Sequence, residues 1–113
     1  MSIIPALESV LGPNGVRQPS EPWTDISGDN LGTPLAIVRP ETTDQVVQVV
    51  AIAREHRVPV VPAGARTAYW TPLNVDGVIA IEVHKLRGIS RHDDVVTVGA
   101  GEPVRALDTL LRR

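Results

Sequence analysis

Apolar residues fall along this chain in two rhythms, and the change between them marks a strand, helix and strand in its middle. Leu35 to Arg39 (LAIVR) is an apolar run closed by Pro40, whose ring removes a donor and restrains the residue before it. That run predicts a strand. From Thr42 the rhythm turns helical, with Val46, Val49, Val50 and Ala53 at three- and four-residue spacing. Thr42 and Gln45 have the spacing of a capping box, Asp44 suits the positive helix end, and Arg54, His56 and Arg57 suit the negative one. So many valines give poor intrinsic helix propensity, so tertiary packing must hold this helix. Val58 to Ala63 (VPVVPA) reads as a buried strand: its valines are stiff at χ1 and favour an extended, packed segment, while Pro59 and Pro62 confine it to strand ends or a sheet edge. Strand, helix and strand within about 30 residues make a βαβ unit, with parallel strands and a right-handed crossover.

The flanks are read the same way. Pro5 to Leu11 predicts a short helix stopped by Gly12, and Pro13 to Pro34 is rich in Gly, Pro, Ser, Asp and Asn. This second stretch predicts an irregular lead-in in which Trp23 packs on the domain it precedes. After the middle unit, Asp76-Gly77 supplies a turn and Gly77 to Val83 (GVIAIEV) a third strand. Leu86 and Ile89 continue apolar, His92-Asp93-Asp94 forms a turn, and Val95 to Val98 (VVTV) is a fourth strand ending in Gly99-Ala100-Gly101. A helix from Pro103 to Arg113 closes the chain with Val104, Leu107, Leu110 and Leu111 on one face. The expected class is α/β (α+β), a small parallel βαβ-containing sheet with flanking helices. Residues 1–33 form the helix and lead-in, and 34–113 the domain proper.

Composition narrows the function classes. At 113 residues there is room for one domain with a modest core, too little for a typical two-domain enzyme. The net charge is -2 and the cations are scattered, so no basic face invites nucleic acid. The longest apolar run, Val46 to Ala53, is broken by Gln48 and too short to span a bilayer, and the N-terminal SIIPALESVLG lacks a basic leader region. We therefore expect a cytoplasmic chain without a membrane segment. The absence of cysteine excludes disulfides and thiolate chemistry. Three histidines without ligand spacing predict no metal site, and no catalytic triad or acid/base pair can be named.

The candidate chemistry lies where the second parallel strand ends. Ala63, Gly64 and Ala65 let the backbone turn tightly with its N–H groups uncovered, and Arg66, Thr67 and Ala68 follow. Successive amides in such a turn form an anion-binding concavity, to which Thr67 adds a hydroxyl and Arg66 a full charge. An ordinary loop after a strand is the other reading. The turn falls at a carboxyl strand end, where ligands of open α/β sheets collect, and this favours the anion site. The sequence is neither GxxxxGK[ST] nor GxGxxG, which argues against P-loop and dinucleotide-fingerprint readings.

Taken together, PLAIVRPETTDQVVQVVAIAREHRVPVVPAGART, GVIAIEVHKLRGI and VVTVGAGEPVRALDTLL resemble the N-terminal part of the FAD-binding domain of flavin oxidoreductases of the vanillyl-alcohol oxidase and p-cresol methylhydroxylase type. The resemblance runs from Pro34 onward and is carried by the order and spacing of the motifs. It implies the first FAD subdomain of that fold plus the start of the second, with Ala63, Gly64, Ala65, Arg66, Thr67 and Ala68 around the FAD pyrophosphate. Gly64 to Ala68 fall on positions commonly Gly-Gly-Gly-Thr-Ser. Arg66 therefore replaces a frequent glycine, and either points outward or onto phosphate, or carries backbone strain. Family members that bond FAD covalently usually place a histidine in this loop. None occurs between Gly64 and Trp70, which implies dissociable FAD. Tyr69 and Trp70 either flank the cofactor or pack beneath the loop.

The resemblance further implies that a full-length parent oxidises a small organic substrate, that the segments covering the flavin and binding substrate follow Arg113, and that this chain alone is an N-terminal piece without catalytic competence. The alternative expectation is a non-catalytic α/β module that pairs with a partner or with itself through an unfinished sheet edge.

Overall fold

The computed structural model describes residues 2–24, 28, 30–64 and 74–112. The first helix, α1 (Ile3–Leu11), begins two residues before Pro5, because the Ser2 hydroxyl accepts from the Ile4 N–H at 3.3 Å. Pro5 then occupies the first turn, where no N–H has an intrahelical partner to lose. Gly12, at φ +78°, ends the helix and donates its N–H to the Glu8 carbonyl at 2.8 Å.

The lead-in is less irregular than its composition implies. After a 3-10 turn at Pro13–Gly15 it carries β1 (Val16–Arg17), β2 (Trp23–Thr24) and β3 (Asn30–Gly32). Strands this short show no alternation, so their partners alone define them. β2 and β3 pair with each other, with a bulge between Trp23 and Thr24, whereas β1 pairs antiparallel with β4 (Ala36–Val38).

A helix, α2 (Thr43–Glu55), follows β4 and opens on the capping box read from sequence. Thr42 Oγ1 accepts from the Gln45 N–H at 3.1 Å, while Gln45 Oε1 reaches back past the cap to the Glu41 N–H at 2.7 Å. At the other end Arg57 takes a left-handed φ of 56°, which allows the Val58 N–H to reach Ala53 and the Arg57 N–H to reach Arg54. This is a Schellman ending with arginine where glycine is usual. Val49 and Ala53 are buried, but Val50 is not: with Val47 it lies on a face turned from the core, 42% and 61% exposed. The apolar positions of α2 thus form two stripes, of which periodicity alone shows only one.

β5 (Val60–Ala63) and β6 (Ile79–Glu82) complete a four-stranded sheet in the order β1-β4-β6-β5. β4 and β5 run parallel, as the βαβ pattern requires, yet they do not touch. The crossover through α2 skips one position, and β6 fills it, parallel to both neighbours. Burial explains the order. The AIV of β4 and the first three residues of β6 are buried, as strands covered on both faces must be. β5, expected from its valines to be buried, takes the edge instead, where Pro62 is tolerated, and only its Ala63 is buried. Pro59 and Ala63 give their carbonyls to Ile79 and Val83, so Val60 and Pro62 alternate outward. Pro62 has no N–H to offer, which makes this edge a poor template for strand addition.

The sheet buries two clusters. Ala36, Val38, Ile79 and Ile81 meet Ile3 and Leu7 of α1 and Val49 and Ala53 of α2 on one face. Ile37, Ala63 and Ala80 meet Trp23, Val75 and Val78 on the other. Trp23 therefore packs on the domain it precedes. No helix among the described residues is long and apolar enough to cross a membrane.

Beyond the sheet, β7 (Ile89–His92) and β8 (Val95–Val98) form a hairpin across Asp93-Asp94, followed by α3 (Val104–Leu111). The stretch around Ile89, read only as apolar, is thus a strand. Gly99 and Gly101 are more than a tight turn: the N–H of Gly99 donates to Gly88 at 2.8 Å and that of Gly101 to Leu86 at 2.9 Å. A Cβ at either position would strike the carbonyl of Leu86 or Val83. Close backbone approach, and not a left-handed φ, is what requires glycine here. The Glu102 carboxylate pins the same junction, accepting from the Gly88 N–H at 2.8 Å and from Arg87 Nε at 3.1 Å, with its side chain only 10% exposed.

Two outcomes follow from that junction. Gly101→Ala should cost about 1–3 kcal/mol in chemical denaturation, with the loss of hydrogen-exchange protection confined to β7, β8 and α3. The Gly88 amide, then Arg87, hold the Glu102 carboxyl below its ordinary value of 4.5. The folded carboxyl therefore stays ionised to lower pH than the unfolded one, so its contribution is present above pH 4.5 and is lost as pH falls through the lowered folded value. Acid titration of amide protection in β7 and β8 should show this loss, and Glu102→Gln should abolish its pH dependence.

Candidate functional site

Because β4, β6 and β5 are parallel, their carboxyl ends share one rim, and that rim carries Arg39, Glu82 and Gly64. Of the residues expected around an anion, Ala63 is buried and its side chain belongs to the core cluster with Trp23 and Ile37. Its carbonyl accepts from Val83 at 3.1 Å, which ends the ladder. Ala63 thus fixes where the turn begins. Gly64 is exposed, its φ is not left-handed, and among the described residues no atom lies within 4 Å of where a Cβ would stand. Nothing in the described chain demands glycine at that position. Ala65, Arg66, Thr67 and Ala68, together with Tyr69 and Trp70, lie outside the described residues.

The rim is also charged, in a way that reading the sequence did not single out. Arg39 Nε meets Glu82 Oε1 at 2.9 Å, and nearby Lys85 Nζ meets Glu41 Oε1 at 3.3 Å. The only sequence signal was a charge closing each apolar run, LAIVR and VIAIE. At the opposite end of the sheet a cleft of about 510 Å3 is lined by Pro22, Asn30, Leu31, Gly32, Thr33, Asn74 and Asp76. Asp76 Oδ1 accepts there from the Thr33 N–H at 3.1 Å, which ties together the loops entering β4 and β6. Among the described residues no group of three His, Cys, Asp or Glu side chains could hold a metal ion.

The first described step of the turn is compatible with a diphosphate, since Gly64 stands at a carboxyl strand end and neither it nor any described neighbour places a side chain there to crowd a ligand. The family model for the FAD binding domain matches residues 34–113. The fold is shared with p-cresol methylhydroxylase, solved with substrate bound, at a TM-score of 0.77 and 20% identity over 97% of this chain and 24% of that one. BBE-like 1 from Physcomitrella patens gives 0.70 at 24% identity, over 93% of this chain and 25% of that one. A cholesterol oxidase variant from Brevibacterium sterolicum gives 0.69 at 28% identity, over 88% and 20%. The chain thus spans a fifth to a quarter of the length of these structures. No curated protein sequence matches it.

If the chain's own packing places no demand on Gly64, Gly64→Ala should leave stability unchanged or raise it by up to about 1 kcal/mol, through reduced freedom of the unfolded chain. Urea unfolding without added ligand measures this.

Proposed function

The chain belongs to the FAD binding domain family and binds FAD, and we propose that it does so by holding the cofactor's diphosphate on the turn 63–68. In this reading the backbone N–H groups from Gly64 onward face the phosphate oxygens, Thr67 adds a hydroxyl and Arg66 a guanidinium. Ala63 anchors the turn from below and Ala68 closes it. The observation that carries the reading is the position of Gly64 at the carboxyl end of β5, exposed and with no described atom within 4 Å of where a Cβ would stand. With no side chain of its own, its backbone amide can approach a phosphate closely.

FAD is held without a covalent link, because the loop offers no histidine. Bound FAD supplies the redox chemistry by accepting a hydride. This chain's residues position the cofactor. The whole protein is an FAD-dependent oxidoreductase acting on a small organic substrate, with the substrate-binding groups on polypeptide outside this chain. The fourfold greater length of the structural neighbours and the uncovered apolar side chains of α3 support that division.

Titration of the purified chain with FAD, followed by flavin fluorescence, tests the assignment. The unsubstituted chain should bind, acid precipitation should release the flavin intact, and Gly64→Val should weaken binding roughly ten-fold or more at an unchanged unfolding midpoint. Equal affinity in the Gly64→Val and Arg66→Ala variants would remove the turn from the site.

A further inference from the structure

We propose that Arg39 is a positioning residue for the cofactor, acting through Glu82 by cancelling a negative charge beside the diphosphate turn. The inference rests on the assignment of that turn to FAD. Its structural basis is a single row across the sheet. Glu82 stands in register with Ala63 on β5, the residue before Gly64. On its other side it lies one step beyond the Val38–Ile81 pair, level with Arg39 at the end of β4.

Side chains alternate along a strand, so Arg39 shares a face with Ile37, and Glu82 with Ala80. Those residues and Ala63 lie in one core cluster, on the sheet face turned from α1 and α2. Arg39, Glu82 and Ala63 therefore line up on one face at the carboxyl rim. Neighbouring strands are about 4.8 Å apart, which brings the Glu82 carboxylate close to the start of the turn.

A carboxylate in that position opposes an anionic ligand. Its side chain is 20% exposed, so water screens it only in part. The Arg39 guanidinium, 2.9 Å from Oε1, supplies the compensating charge. Arg39 is itself 42% exposed and contributes little to folding as a surface ion pair, but it changes the net charge facing the turn by a full unit. The two halves of one ion pair thus have opposite effects on the cofactor, which a purely structural salt bridge cannot produce.

A double-mutant cycle read by FAD affinity tests this. Arg39→Ala should weaken FAD roughly three- to ten-fold at low salt, and the loss should shrink at high salt. Glu82→Gln should bind FAD as tightly as the unsubstituted chain or more tightly. The double variant should return to within about two-fold of the starting affinity, and Arg39→Lys should retain most of it. Equal weakening by Arg39→Ala and Glu82→Gln, or no change in either, would overturn the inference while leaving the turn's role intact. Failure of the unsubstituted chain to bind FAD would instead overturn the assignment of the turn.

Discussion

The structure depends on β6 lying between β4 and β5. Its backbone is paired on both sides, to Ala36–Val38 and to Val60–Ala63, so displacing it would strand two ladders of polar groups in an apolar interior. Its side chains are committed as well: Ile79 and Ile81 face α1 and α2, while Ala80 faces the Trp23 cluster. Only the last residue of the strand, Glu82, carries a charge, and it emerges where the ladder ends. That arrangement aligns three carboxyl ends on one rim and places the glycine turn of β5 beside the charged ends of the other two strands.

Order within the chain is uneven for the same reason. The sheet has a covered core on each face, and α1 is drawn into it by Ile3 and Leu7. The hairpin β7–β8 and α3 are held differently. No residue of α3 is buried, and Val104 is 80% exposed. Attachment rests on backbone contact at Gly99 and Gly101 and on the bonds that Glu102 accepts. Elements with so little apolar burial open at lower free energy than a packed core, so acid or a single added methyl group is expected to act on that half first. Gly64 and the buried Ala63 before it belong to the other half.

How much of this was legible follows from how far apart the interacting residues lie. The rhythm of Val46, Val49 and Ala53, the capping pair Thr42 and Gln45, and the prolines around β5 are local signals, and each led to the right element. β1, β2 and β3 were not legible, since strands of two or three residues exist only through partners elsewhere in the chain. Val50 misled because its spacing fits the core stripe although its face looks away. The site divided in the same way. Ala63 and Gly64 were legible as the end of the strand, whereas Arg39 and Glu82, 43 residues apart, become neighbours only once β6 is known to fill the gap left by the crossover.

The chain carries a net charge of -2 and yet takes an anionic cofactor, so overall attraction cannot be what selects the ligand. Local placement must do so. At the rim Lys85 is paired with Glu41 and Arg39 with Glu82, which leaves the described side chains close to electrically balanced there. In such a setting the proposed contacts from backbone amides past Gly64, with Thr67 and Arg66 beside them, would supply the attraction that the balanced rim does not. A glycine without a side chain at a carboxyl strand end suits that role, because its position is set by the strand beneath it. With the described ion pairs close to neutral, the proposed turn, and not the net charge, would determine where a diphosphate sits.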